Sequence, residues 1–283
     1  MQIIKSVTAL AGAGKTHVMI NQINQSNEKY IILAPTIRLC DQIASDLNNA
    51  QVIHSEVEGI KNSSIELMRA VSDGVQVICS THQSFAQILK SGDISINDYN
   101  LIFDEVPAAL LESQLTMDQH VFDLFCSLLN FEPSTKFDGF YEISPKNIDA
   151  LRTKLKAQSS EVYRHGRVKH FIECVANNAY ATLIPSELFC TFKAALVNGS
   201  ARLDTVSLMR PEVLSGTNST TVMSAFFNDT EFAIVMKAQG VQFDDQDVQV
   251  RYKEHTNGHR LTVKRSEERR VGKECRSRWS PEH

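Results

Sequence analysis

Short runs of apolar residues alternate with longer amphipathic stretches over the first hundred residues of the chain. Four runs are nearly continuous in apolar and β-branched residues, as strands covered on both faces are: Ile3 to Thr8, Tyr30 to Ala34, Val75 to Cys79 and Leu101 to Phe103. The stretches between them have helical spacing, at about Lys15 to Gln25, Ile37 to Leu47, Ser63 to Ser72 and Gln83 to Leu89. This alternation predicts an α/β fold with a parallel sheet flanked by helices.

The pattern changes after Val106. From residue 107 to 212 the amphipathic stretches are longer, and they predict a mainly helical insertion. Another apolar run, Thr220 to Phe226, then restores the strand pattern and leads into a helix-like stretch that ends near Gly240. We expect residues 241–264 to leave the sheet. The predicted core therefore comprises residues 1–106 and 213–240.

The last 20 residues differ sharply in composition from the rest of the chain. They contain seven Lys or Arg residues and the only Trp, and no apolar period runs through them. They fit either a basic tail for nucleic acid or translated sequencing-adapter read-through. We favour the second interpretation and leave residues 265–283 out of the fold prediction.

Composition limits the classes of function. The 29 basic and 33 acidic residues give a net charge of -4, so any contact with nucleic acid must be local. No apolar run reaches the length of about 18 residues that spans a bilayer, and no signal peptide is present. Six cysteines are scattered singly, without disulfide spacing. We expect a cytoplasmic protein with reduced thiols and no membrane partner.

The segment from Ala9 to Thr16 fits the spacing of a phosphate-binding P-loop, with alanine in place of the first glycine. A strand delivers this loop and a helix leaves it, so backbone N–H groups and the helix dipole can converge on phosphates. Lys15 would neutralise charge between the β- and γ-phosphates, and the Thr16 hydroxyl would bind Mg²⁺. The dinucleotide-binding alternative fails because His17 stands where that motif needs glycine. The predicted nucleotide-binding residues are Ala11, Gly12, Ala13, Gly14, Lys15 and Thr16.

A second carboxylate site follows another predicted strand. Three apolar residues precede Asp104 and Glu105, at the point where a strand would end beside the loop. Asp104 would hold Mg²⁺ and Glu105 would act on the attacking water. Together with Lys15 they are the predicted catalytic residues.

The order of five segments resembles that of helicase superfamilies 1 and 2. AGAGKT is similar to motif I and DEVP to the Asp-Glu box of motif II, although Val106 and Pro107 depart from the DEAD and DEAH endings. LAPTIRLCDQI resembles motif Ia, CSTHQSF a later strand-end motif, and VMSAFF resembles motif III with Phe226 in place of threonine.

The resemblance implies a RecA-like domain that uses ATP and Mg²⁺ and binds single-stranded or duplex nucleic acid, more often DNA than RNA. It implies contacts to the nucleic-acid backbone from Pro35, Thr36, Thr81 and His82, and coupling through Ser224 and Ala225. It also suggests a phage or bacterial source.

The resemblance further implies a second RecA-like domain, which supplies an arginine finger. About forty natural residues follow motif III, whereas such a domain needs on the order of 150, so we expect a truncated helicase. This fragment would bind ATP and hydrolyse it very slowly. The alternatives are a P-loop small-molecule kinase and a packaging or remodelling ATPase.

A basic stretch lies within the predicted insertion. Its charged residues Lys154, Lys156, Arg164, Arg167 and Lys169 interleave with Tyr163 and Phe171. Such a stretch forms either a nucleic-acid groove with stacking aromatics or a solvated helix face with buried aromatics. We favour the solvated face.

Overall fold

Seven parallel strands form the central sheet in the computed structural model, which describes residues 2–91, 95–157 and 166–249. The strand order is β12-β1-β11-β5-β2-β4-β3. These strands are Ile3–Thr8 (β1), Lys29–Ala34 (β2), Gln51–Ile53 (β3), Val77–Thr81 (β4), Ile96–Asp104 (β5), Thr217–Ser224 (β11) and Gln242–Asp245 (β12). The predicted α/β class is confirmed, and all five predicted strands are present.

Helices cover both faces of this sheet. On one face lie Lys15–Asn24 (α1) and Ile37–Ser45 (α2), and the other face carries Ser63–Ser72 (α3), His82–Ser91 (α4), the short Glu212–Ser215 (α9) and Glu231–Ala238 (α10). Side-chain caps fix several of the starts. Thr36 accepts the N–H of Leu39, and Thr230 accepts the N–H of Ala233. The buried faces of the helices form two apolar clusters with the alternating sides of the strands.

The insertion between β5 and β11 folds around a second sheet, which is antiparallel and has the order β6-β10-β9-β8-β7. Its strands are Leu110–Asp118 (β6), Leu129–Pro133 (β7), Phe140–Pro145 (β8), Tyr180–Pro185 (β9) and Ser200–Met209 (β10). Its helices are Gln119–Leu128 (α5), Ile148–Ala157 (α6), Gly166–Val175 (α7) and Ser186–Leu196 (α8). The prediction of a mainly helical insertion is therefore corrected to a mixed α/β insertion. In β10 the inward positions include Thr205 and Ser207, so the sequence shows no clear apolar alternation there.

The sheet also extends further along the chain than predicted. Gln242–Asp245 pairs in parallel with β1, from Ile3 opposite Gln242 to Ser6 opposite Asp245. The predicted exit at residue 241 is therefore wrong by several residues. This edge strand contains a single apolar side chain, Phe243, which gives little strand signal. The expectations for residues 250–283 lie outside the described residues.

In the described ranges, no helix has the length and apolar character that crossing a bilayer requires.

A substitution of Phe103 tests the packing next to the end of β5. Its side chain is 1% exposed and meets the ring of Phe85 edge-on at 5.9 Å between centroids. Phe103→Ala should lower the free energy of unfolding by about 3–5 kcal/mol, because it leaves a large cavity in the cluster. Ile65→Ala, at an exposed position of α3, should change it by less than about 0.5 kcal/mol. Urea unfolding measures both, and equal losses would contradict the packing described.

Candidate nucleotide-binding site

The loop between β1 and α1 has the backbone conformation of a phosphate cradle. Gly12 has a φ of 75° and Gly14 a φ of 95°, both in the left-handed region that favours glycine. A Cβ atom added at Gly12 would meet nothing within 4 Å, so the requirement there is conformational rather than steric. The N–H of Ala13 donates to the carbonyl of Leu10 at 3.1 Å and tightens the turn. Turns of this kind direct successive N–H groups into one concavity, which suits an anion.

The Lys15 ammonium group lies beneath this loop. Its Nζ donates to the carbonyl oxygens of Ala9 at 2.7 Å and Leu10 at 3.2 Å. Burial lowers the pKa of Lys15, and the negative charges of Asp104 and Glu105 partly oppose that shift. The loop thus holds a cation where its backbone N–H groups gather, which is suitable for binding a polyphosphate.

One side-chain hydrogen bond joins the loop helix to the end of β5. Thr16 Oγ1 donates to Asp104 Oδ1 at 3.1 Å, across 88 residues of sequence. Asp104 is 5% exposed, and its burial raises the pKa of the carboxyl group, whereas the hydrogen bond from Thr16 opposes that rise. Hydroxyl and carboxylate oxygens are the ligands that Mg²⁺ prefers. The pair therefore fits the predicted metal position, and the sequence had identified both residues.

Glu105 follows Asp104 in a strained backbone conformation. Its φ is 76°, in the left-handed region, and its N–H donates to the carbonyl of Met223 on β11 at 2.9 Å. Such a residue costs on the order of 1–3 kcal/mol, and residues of this type cluster at functional sites. The turn leaves Glu105 exposed beside the buried Asp104. One carboxylate is thus placed against the loop and the other toward solvent.

The end of β11 borders the loop on its other side. Thr8 lies opposite Ser224 in the sheet, and the Ser224 carbonyl accepts the N–H of Ala9 at 3.3 Å. The Ser224 hydroxyl donates to the carbonyl of its neighbour Ala225 at 2.8 Å. The next residue, Phe226, has a φ of 57° and is 68% exposed. The sequence did not predict the hydrogen bond from the Glu105 N–H to the Met223 carbonyl, because a backbone carbonyl is present in every residue type.

The predicted nucleic-acid contacts divide into two pairs. Pro35 and Thr36 are exposed at the end of β2, where Thr36 also caps α2, so their role stays a prediction.

Thr81 is buried and its hydroxyl shares a hydrogen bond of 3.0 Å with Ser84. His82 Nε2 lies 3.0 Å from the carbonyl oxygen of Leu33, and burial lowers the pKa of its ring.

The Thr81 and His82 side chains therefore form hydrogen bonds within the domain, and their contact with a nucleic-acid strand stays a prediction. A threonine or histidine at a strand end has the same sequence pattern in both roles.

The basic stretch of the insertion is only partly described. Phe171 is fully buried in the core of the insertion, and Lys169 Nζ lies 3.9 Å from Glu173 on the same helix. Both positions fit a solvated helix face with a buried aromatic. The side chains of Lys154, Lys156, Tyr163, Arg164 and Arg167 lie outside the part of the chain that the structure describes.

Two cavities flank α1. One of about 490 Å³ follows the sheet from Lys15 to Asn100. The other, of about 370 Å³, lies between α1 and α2 and reaches Thr16 and His17. Each offers room for the remainder of a nucleotide next to the loop.

The sheet and its site together define a class of protein. A glycine-containing loop follows β1, and an Asp-Glu pair follows β5, two strands away in a parallel sheet flanked by helices. The fold is that of a RecA-like α/β domain, with a loop of the phosphate-binding type after its first strand.

Comparison with known families agrees with that class. Residues 3–122 match the DEAD/DEAH box helicase family, a segment shorter than half of the 283 residues. No curated protein sequence matches the chain.

Solved structures that are similar to the chain include helicases. The crystal structure of the Pyrococcus furiosus Hef helicase domain shares 15% identity over 88% of this chain and 36% of its own, with a TM-score of 0.35. XPD in its apo form shares 10% identity over 86% of this chain and 54% of its own, with a TM-score of 0.41. An XPD helicase structure shares 11% identity over 86% of this chain and 59% of its own, with a TM-score of 0.37. The chain thus spans less than two thirds of each structure, and similarity at this level carries no functional argument.

The buried Asp104 carboxylate makes a testable contribution to stability. Because burial raises its folded-state pKa, Asp104 favours folding below its unfolded pKa of about 3.9, and this contribution is lost as the pH rises through the folded-state value. Asp104→Asn should therefore make the nucleotide-free protein more stable than the wild type at pH 7. The difference should disappear at acid pH. Urea unfolding across this pH range measures it.

The exposed Asp98 of the same strand provides the control. Asp98→Asn should change the free energy of unfolding by less than about 0.5 kcal/mol at pH 7. A less stable Asp104→Asn variant at pH 7 would show that the hydrogen bond from Thr16 outweighs the desolvation of the carboxylate.

Proposed function

We propose that the chain is the ATP-binding RecA-like part of a nucleic-acid-dependent ATPase of helicase type. The observation that supports this proposal most directly is the hydrogen bond from Thr16 to Asp104, which joins the loop helix to the end of β5. The DEAD/DEAH box match over residues 3–122 supports the helicase type over a P-loop kinase.

Each side chain of the site has a role in this proposal. The loop N–H groups and Lys15 bind the triphosphate, and Thr16 and Asp104 hold Mg²⁺. The ion, when bound, neutralises charge on the phosphate oxygens. Glu105 orients the attacking water and accepts its proton, since its carboxylate is exposed beside the metal position. Ser224 and Ala225 transmit the state of the nucleotide, Ser224 through its carbonyl contact with the N–H of Ala9 and Ala225 through its hydrogen bond with Ser224.

The proposed partner is a single-stranded or duplex nucleic acid, with DNA favoured. Pro35 and Thr36 are exposed at the same edge of the sheet as the P-loop, because all strands of the sheet run in parallel. Helix α2 begins directly after them, and its first N–H groups suit a backbone phosphate.

A second ATPase unit completes the site in this proposal. Within the described ranges, Lys15 is the one cation whose charge acts on Asp104. An arginine supplied from outside this chain is worth about 10³- to 10⁵-fold in turnover, so the isolated chain should hydrolyse ATP very slowly.

Lys15→Ala tests nucleotide binding. Removing the ammonium group should weaken the binding of a fluorescent ATP analogue by at least about tenfold, because a charge-assisted contact to phosphate is lost. Lys61→Ala removes an exposed lysine elsewhere in the domain and should leave the affinity unchanged. Equal affinities for Lys15→Ala and the wild type, measured by fluorescence titration, would reject the assignment of the loop.

Glu105→Gln separates hydrolysis from binding. The amide cannot accept the proton of water, so single-turnover hydrolysis should fall by about 10²- to 10⁴-fold while the ATP affinity stays within twofold of wild type. Hydrolysis is measured with Mg²⁺ and single-stranded DNA present. Glu58→Gln, at an exposed position, serves as the control. A parallel loss of binding would make Glu105 structural.

A further inference from the structure

Phe226 is the one exposed aromatic side chain among the described residues. Its exposed fraction is 68%, whereas every other Phe and Tyr ring in these ranges is buried or half-buried. It follows Ser224 and Ala225 at the end of β11, and the Ser224 carbonyl accepts the N–H of Ala9 in the loop after β1. Single exposed apolar side chains are common on protein surfaces, so the exposure of Phe226 acquires meaning from its backbone and its position.

The backbone of Phe226 has a conformation that is unfavourable for its residue type. Its φ of 57° and ψ of 39° lie in the left-handed region, which Gly and Asn adopt more readily than a bulky residue does. The turn is fixed on its far side, because the Phe226 carbonyl accepts the N–H of Asp229 at 3.0 Å and the ring of Phe227 is fully buried. Burial of Phe227 explains the turn. It does not explain a phenylalanine before it, since an exposed ring gains little from folding.

Phe226 lies at the same edge of the sheet as the proposed contact with a nucleic-acid backbone. Phe103 on β5 pairs with Leu33 on β2 and with Val222 on β11, so these three residues form one row across the sheet. Thr36 lies three residues after Leu33, and Phe226 lies four residues after Val222. Neighbouring strands are about 4.8 Å apart, so the ends of β2 and β11 are separated by about 10 Å. This equals about three nucleotide steps of 3.4 Å along a strand.

The residues around Phe226 favour a neutral ligand over a phosphate group. Glu105 is exposed, and its N–H donates to the carbonyl of Met223, three residues before Phe226. Asp229 is exposed in the turn itself. Two carboxylates here repel a phosphate group, whereas a nucleobase carries no charge. A protein partner would require a contiguous apolar patch, but the exposed residues that follow in the turn, Asn228 and Asp229, are polar.

We propose that the Phe226 ring stacks on an unpaired base of a nucleic-acid strand whose backbone lies along the sheet edge from β11 to β2. This rests on the proposed function, because it takes a nucleic acid as the partner of that edge. Stacking needs only one face of the ring and accepts any base, since every base has a π-face. The fixed turn lowers the ordering cost of the contact, because the backbone of Phe226 is already held in place.

The test measures the binding of labelled single strands of equal length to the full chain by fluorescence anisotropy. One strand is oligothymidine, and the other has the same phosphates on abasic sugars. Phe226→Asn should lower the affinity for oligothymidine at least about fivefold and leave the affinity for the abasic strand unchanged, because only the stacking contact is lost. Phe226→Trp retains an aromatic ring and should keep the wild-type affinities. Ile3→Ala removes an exposed apolar side chain at the opposite edge of the sheet, at the start of β1, and should change neither affinity.

Urea unfolding distinguishes stacking from a role of the ring in the fold. Asn tolerates the left-handed backbone better than Phe does, so Phe226→Asn should raise the urea midpoint or leave it at the wild-type value. Weaker binding by a variant of equal or greater stability cannot come from misfolding. A lower midpoint together with unchanged binding of oligothymidine would show that the ring serves the fold, and would overturn the proposal. If Phe226→Asn does not fold, Phe226→Leu, which is apolar but has no ring, decides in its place.

The outcomes separate this inference from the function on which it rests. If the wild type binds neither strand, the proposed nucleic-acid partner fails and the stacking site fails with it. If the wild type and Phe226→Asn bind oligothymidine equally well, the stacking site is rejected while the proposed function stands. A loss of affinity for the fluorescent ATP analogue alone would assign the ring to the nucleotide and would also reject the stacking site.

Discussion

The hydrogen bond from Thr16 to Asp104 ties together the two strand ends on which the site depends. Thr16 belongs to the helix that leaves β1, and Asp104 ends β5, with β11 between them. Because the strands run in parallel, the carboxyl ends of β1, β11 and β5 all lie at the same edge of the sheet, whereas an antiparallel β11 would point its own end away. Long crossover connections follow from that requirement, and the helices that supply them provide both apolar clusters of the core.

Several residues at the same edge of the sheet have a burial or a backbone conformation that is unfavourable for folding. Asp104 is buried, and Glu105 and Phe226 have left-handed backbone conformations. At most other buried positions of the central sheet the side chains are apolar, as at Ile31 and Leu101. Two of the three left-handed non-glycine residues in the described ranges thus lie where the chemistry is proposed to occur, and the third is Asn49.

The features that could be predicted from the sequence are those that depend on residue type and spacing along the chain. The P-loop and the Asp-Glu pair depend on residue types at fixed spacing next to buried strands, and in the structure Thr16 and Asp104 lie within hydrogen-bond distance. Strand β3 has only three residues and β12 one apolar side chain, and edge strands of this kind give little signal. The insertion sheet was missed because Thr205 and Ser207 occupy inward positions. The hydrogen bond between His82 and the carbonyl of Leu33 depends on a tertiary contact, which no local pattern encodes.

The hydrogen bond between Ala109 and Met209, where the insertion joins the core, affects the entropy of closing the chain between β5 and β11. Their hydrogen bond of 2.8 Å brings together two points separated by about 100 residues of chain. If the insertion were an unstructured coil, closing that loop would cost about 4 kcal/mol of configurational entropy relative to a direct connection. The folded insertion removes this penalty by holding its own ends together. Its stability therefore supports the pairing of β5 with β11, and hence the position of Asp104.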